Sequence, residues 1–185
     1  MSASFAVLHT GYVGQHTAST VGFIRDGEQL IVTDPGMVRD RGLILDPLRD
    51  LGVEPDDVTD VVFSHHHPDH TLNAALFPRA RFHDHWAIYQ GDLWIDRDAD
   101  NYQLSPSVRL IRTPGHTPED ITTLVDTADG VVAFTHLWWM STSTDDPYAT
   151  DPDALLAGRA RVLQIAGLIV PGHGAPFEPT KEPPR

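Results

Sequence analysis

The run His65-His66-His67-Pro68-Asp69-His70 constrains this chain more than any other stretch. Imidazole is the commonest neutral metal ligand, and three in succession have no obvious purpose in a core strand. The run follows Val61-Val62-Phe63, which reads as a short buried strand. His116, His136 and His173 also each come after an expected strand. Loops at strand ends are where a rigid sheet presents chemistry.

The hydropathy pattern supplies the sheets. Residues 21–25 and 29–33 read as a hairpin about Asp26-Gly27. Asp34-Pro35-Gly36 ends its second strand with turn chemistry. Leu43, Ile44, Leu45, Leu48 and Leu51 recur at helical spacing over 41–51, with Gly52 as the stop. A short helix is expected over 69–76, stopped near Pro78, and a strand over 80–83. Further strands are expected at 108–112, 121–125 and 131–134, the last two joined at Asp129-Gly130. Asp151-Pro152 opens a helix, with Asp as N-cap and Pro in the first turn. Leu155, Leu156, Val162, Leu163 and Ala166 mark its face. Residues 168–170 form the last strand, and Pro171-Gly172-His173-Gly174 follows it. Residues 91–106 and 141–150 read as long polar loops, the first interrupted by Leu93, Trp94 and Ile95. Strands interleaved with helices make an α/β fold whose sheets are covered by helices. One domain over 1–177 accounts for the length, with a Pro-rich tail at 178–185.

Composition narrows the function classes. The chain has no cysteine, which excludes a disulfide scaffold, a thiolate metal site and a cysteine nucleophile. Net charge is −13, and the one lysine is Lys181. That balance disfavours nucleic acid, whose binding rests on Lys and Arg neutralising phosphates. No apolar run approaches the roughly 20 residues of a membrane span, and Met1-Ser2-Ala3-Ser4-Phe5 carries no basic region. A cytoplasmic protein acting on a small molecule is the expectation. No phosphate-cradling Gly-rich loop and no supported Ser or Thr triad is present.

Spacing suggests how the histidines divide. His65 and His67 lie two apart, as on one side of an extended turn, while Asp69 and His70 begin a helix and point elsewhere. One loop can then feed two adjacent metals, and His116 and His173, on small-residue turns, remain to be shared between them. Sets of three His, or two His and a carboxylate, both suit zinc. In order, His65-x-His67-x-Asp69-His70, Gly115-His116 and Gly172-His173-Gly174, with Asp34-Pro35-Gly36 upstream, resemble the metallo-β-lactamase-fold hydrolases over about residues 11–177. The stretch from Asp151-Pro152 through Arg159-x-Arg161-Val162-Leu163 to Gly172-His173-Gly174-x-Pro176-Phe177 fits one branch of that superfamily, as does His83-Asp84. The resemblance implies a four-layer αβ/βα sandwich with the metals at one edge. It also implies one metal on His65, His67 and His116 and a second on Asp69, His70 and His173. Zinc is the default, with one or two ions per chain, and Asp69 would orient the water or shuttle its proton.

One position departs. Where the family places an Asp bridging both metals, the chain reads Ala133-Phe134-Thr135-His136. A neutral imidazole offers one lone pair and cannot bridge as a carboxylate does. His136 is therefore expected to be a terminal metal ligand or to pack beside the ligands. Among the other residues, His66 is expected to face away from the site, His9 and His16 to lie at the surface, and Asp34 to support rather than ligate. His83, Asp84 and His85 either orient a ligand imidazole or simply end a strand. Trp138 and Trp139 line a pocket, form a subunit contact or pack in the core, and with two long loops to cover they leave a homodimer open. The functional expectation is a metal-dependent hydrolase of an ester, thioester, lactone, amide or phosphodiester. The alternative is a metal-binding protein whose hydrolysis is weakened or lost because of His136.

Overall fold

A computed structural model describes residues 2–179 of the chain, and the expected tail lies outside the described residues from 180 on. The first sheet runs in sequence order: β1 (Ser4–His9), β2 (Val21–Asp26), β3 (Gln29–Thr33), β4 (Asp60–Val62), β5 (Arg81–His83), β6 (Ala87–Gln90) and β7 (Leu93–Asp96). The second holds β8 (Tyr102–Ser105), β9 (Val108–Arg112), β10 (Ile121–Thr127), β11 (Gly130–Thr135) and β12 (Leu168–Pro171), in the order β12-β11-β10-β9-β8. Pairing is parallel at β3–β4, β4–β5 and β11–β12 and antiparallel elsewhere. The parallel strands β4 and β12 both end at histidine-bearing loops.

Three apolar clusters define four layers. Ile24, Ile31, Val62, Leu110, Ile121 and Val132 fill the space between the sheets. The outer face of the first sheet packs Phe23, Val32 and Val61 against Ile44 and Leu48 of α1 (Gly42–Asp50). The outer face of the second packs Ile111, Leu124 and Ile169 against Leu155 and Val162 of a C-terminal helix, Pro152–Leu163. The order helix, sheet, sheet, helix is the expected αβ/βα sandwich. Gly52 stops α1 with φ +73, a conformation that costs glycine little. The Asp151 side chain caps the C-terminal helix by accepting from the Ala154 N–H at 2.9 Å.

Two expectations need correction. The loop expected at 91–106 contains β7 and β8. All four β7 residues are exposed, so the strand at the sheet's edge lacks the alternation that a half-buried strand shows. β8 is the other sheet's edge, with a register shift between Gln103 and Ser105. The helix expected over 69–76 is split into one turn, α2 (Pro68–Thr71), and a tighter turn at Ala74–Leu76. Asn73 sits at the break. Its N–H bonds the Pro35 carbonyl at 3.0 Å, and its side chain donates to the Gly36 carbonyl and accepts from Arg41 at 3.1 Å. Those bonds draw the backbone toward the 34–36 turn and away from helix continuation. With α2 placed, the C-terminal helix is α3.

Candidate metal centre

Each expected donor is positioned by a strand end. β4 runs into Phe63 and Ser64, whose backbone is tied to β5 by Phe63 N–H to the His83 carbonyl (2.9 Å). The Ser64 carbonyl also accepts from the Ile121 N–H at 2.9 Å. His65 follows; His67 precedes α2 in extended backbone, and Asp69 and His70 ride on α2. β11 ends one residue before His136, and β12 two residues before His173. His116 lies in the turn after β9, where the Gly115 N–H bonds the Thr117 carbonyl at 3.0 Å. Close packing demands the glycines of these motifs. A Cβ on Gly36 would fall on the Asp69 backbone, and one on Gly115 would meet the Leu155 backbone at 2.7 Å.

The imidazoles converge. His65 Nε2 lies 3.0 Å from His67 Nδ1, and His116 Nε2 lies 3.1 Å from the same atom. His136 Nε2 is 3.2 Å from His173 Nε2. Asp69 Oδ2 is 3.6 Å from Nε2 of both His70 and His173. His65, His70, His116, His136 and His173 are each at most 5% exposed. Two sets, His65/His116/His136 and His70/His136/His173, each bring three nitrogens within 4.8 Å of one another.

The outward nitrogens of four of these rings are spoken for. His70 Nδ1 faces Asp34 Oδ2 at 3.1 Å, His116 Nδ1 faces Asp146 Oδ2 at 2.8 Å, and His173 Nδ1 faces the Ala18 carbonyl at 2.9 Å. His65 Nδ1 is 3.0 Å from Ser64 Oγ. For His70, His116 and His173 the partner is an oxygen that can only accept from a ring N–H, so each ring donates outward and turns its Nε2 lone pair inward. Outer oxygens fix metal-binding imidazoles in this way. Burial also favours the neutral ring. It pushes His65 and His136 well below the ordinary imidazole range, helped by neighbouring imidazoles. Burial lowers His116 against the pull of Asp146, and lowers His173.

A divalent cation fits this donor set. Zinc–nitrogen bonds of 2.0–2.1 Å at a tetrahedral angle put ligand nitrogens ~3.3 Å apart, close to the spacings found. His70 Nε2, 3.6 Å from Asp69 Oδ2, is buried without a hydrogen-bond partner among the described residues, and buried polar atoms left so are costly. A cavity of about 390 Å³ opens over the cluster, lined by His67, Asp69, His116, His136 and His173 and walled by Val13, Thr17, Trp139, Tyr148 and Thr150. The Trp139 and Tyr148 rings stack at 5.6 Å.

Other sequence-singled residues fall outside. His66 turns away, bonding Asp84 Oδ2 at 3.0 Å and stacking on Trp86; the Asp84 bond raises its pKa. His83 bonds Asp60 at 2.8 Å, so neither His83 nor Asp84 touches the converging imidazoles. Trp138 packs with Phe177 beneath Arg159 in the core, unlike its neighbour Trp139. Asp34, at φ 48, accepts from the Ser64 N–H at 2.7 Å as well as facing His70. His9 and His16 line a separate depression. Sequence reasoning missed Asp146 and Asp120. Asp146 is 30 residues from the imidazole it orients, and nothing local marks it. Asp120 lies in the run His116-Thr117-Pro118-Glu119-Asp120. Its Oδ1 is 4.0 Å from His65 Nδ1, it accepts from Thr117, and burial pushes its carboxyl up to about 7.

Comparison with known proteins gives the family and the fold. The family model of the metallo-beta-lactamase superfamily matches residues 15–147. Metallo-beta-lactamase domain-containing protein 1 of Mus musculus is 34% identical over 163 residues, covering 82% of this chain. The Xenopus laevis protein of the same name is 31% identical, covering 84% of this chain. The chain spans 62% and 70% of these relatives' own lengths. Among solved structures, a metallo-beta-lactamase candidate from Thermotoga maritima superposes with TM-score 0.77 at 25% identity, covering 97% of this chain and all of that one. An N-acyl homoserine lactone hydrolase with N-hexanoyl-L-homoserine at its catalytic metal centre superposes with TM-score 0.67 at 19% identity, covering 93% and 92%. Its likeness extends to the fold. With the motifs, the sandwich and the family match in agreement, the chain belongs to the metallo-beta-lactamase superfamily.

Proposed function

We propose that the chain is a metal-dependent hydrolase of a small molecule, with zinc as its cation. His65, His67 and His116 would hold one ion, and Asp69, His70 and His173 a second. The observation that carries this reading is the convergence of ring nitrogens at 3.0–3.2 Å, with the outward nitrogens of His70, His116 and His173 facing fixed oxygens. A divalent cation supplies Lewis acidity, lowering the pKa of water and drawing charge from an acyl or phosphoryl oxygen.

The chain's own residues do the rest. Asp69 is part-exposed and lines the cavity, its Oδ2 facing His70 and His173, and its carboxylate would orient a water there and take up its proton. The neutral imidazoles keep their lone pairs inward. Trp139 and Tyr148 form a flat apolar wall against which an acyl or ring portion of a substrate can lie. A cavity of about 390 Å³ suits a small ester, thioester, lactone, amide or phosphodiester. The net charge of −13 runs against long nucleic acid.

A panel of small esters, thioesters, lactones, amides and phosphodiesters, assayed with zinc-loaded and chelator-stripped protein, tests the reading. Turnover of at least one class that vanishes on stripping and in His116→Ala is expected. A second reading, a cation-binding protein without turnover, is favoured by His136 among the converging nitrogens. Stoichiometric cation with no turnover anywhere in the panel would select it.

A further inference from the structure

His136 belongs to both three-nitrogen sets, so its lone pair has two claimants. A neutral imidazole has one lone pair to give. The ring is held in place: a Cβ on Gly172 would lie 3.0 Å from its Nε2 and 3.2 Å from its Cγ, and the Gly172 N–H is bonded to the Trp138 carbonyl at 3.0 Å. Which set receives the lone pair decides which cation position is fully enclosed by protein.

Two observations separate the claimants. On the His65/His116 side a third imidazole is already present, because His67 Nδ1 lies 3.0 Å from His65 Nε2 and 3.1 Å from His116 Nε2. On that side His67 offers a third nitrogen besides His136. On the other side the donors among the described residues are His70, His173 and the Asp69 carboxylate, and the His136 Nε2 is directed there, 3.2 Å from His173 Nε2.

We infer that His136 is the fourth protein ligand of the Asp69/His70/His173 position. That position is then closed, and the His65/His67/His116 position alone keeps a place for substrate. Four protein ligands mark an enclosed zinc and three an open, catalytic one. The inference rests on reading the cluster as a metal centre.

Cation stoichiometry and affinity read it out without any substrate. Zinc binding is measured by equilibrium dialysis and elemental analysis, with a competing chelator, for the unaltered protein, His67→Ala, His136→Ala and the double variant. The unaltered protein is expected to hold two zincs. Each single change weakens one of them by about 100-fold or more, beyond the ~10–100-fold that an outer partner is worth. The double variant weakens both, because the changes fall on different ions. The inference is overturned if the double variant leaves one zinc at its original affinity, since both changes then act on the same ion. Absence of any bound zinc in the unaltered protein overturns the metal-centre reading instead. If His136→Ala fails to fold, anomalous diffraction from the zinc-loaded unaltered protein decides. A zinc bonded to His136 should also be bonded to His70 and His173, and one bonded to His136, His65 and His116 contradicts the assignment.

Discussion

At the scale of single residues, the converging donors were legible because their chemistry is local. Four imidazoles within six residues leave few uses other than a cation, and Gly115, Gly172 and Gly36 announced crowded backbone beside them. The oxygens that orient the rings were not legible, because they come from distant loops. Asp146 reaches His116 across 30 residues, and the Ala18 carbonyl reaches His173 across 155. Asp146→Asn tests that role. It keeps the shape but weakens the acceptor, and zinc affinity should fall by ~10–100-fold in a chelator-competition titration. Unchanged affinity would make the Asp146 contact merely structural. Gly172→Ala places a methyl against the His136 ring. It should destabilise the fold by ~1–3 kcal/mol, the usual cost of overpacking, read from urea midpoints.

Among the elements, those with one face in a core were readable and those at the edges were not. α1 and α3 carry apolar residues at helical spacing because each covers a sheet face, and the Asp151 cap matches its sequence signal. β7 gave no such signal: Leu93, Trp94, Ile95 and Asp96 are all exposed on an edge. α2 fell short of its expected length because Asn73 found backbone and side-chain partners in the 34–41 segment, a tertiary contact that outweighs local propensity. The cap is open to test. Asp151→Ala removes the acceptor for the Ala154 N–H and should cost about 1 kcal/mol in chemical denaturation. Asp151→Asn should recover most of it.

Over the whole molecule, buried carboxylates link the sheets and make stability depend on pH. Asp26 at the end of β2 accepts from Ser105 Oγ at 2.6 Å and from the Ser107 N–H at 2.7 Å, tying the first sheet to the β8–β9 turn of the second. Burial opposes its ionisation, but these hydrogen bonds outweigh it and lower its pKa. A carboxyl whose pKa is lower folded than unfolded stabilises above the unfolded value and loses that contribution as the folded group protonates. Asp26→Asn should therefore be less stable than the unaltered protein at neutral pH. The gap should narrow as pH falls below about 4, the ordinary Asp value, when both are followed by urea unfolding. The central claim is that the two sheets bring six donors to one edge to grip a divalent cation. The most direct measurement is elemental analysis of protein stripped with chelator, dialysed against zinc and freed of excess. At least one zinc per chain, lost in His116→Ala, is the predicted result; protein that emerges folded and without zinc would contradict the account.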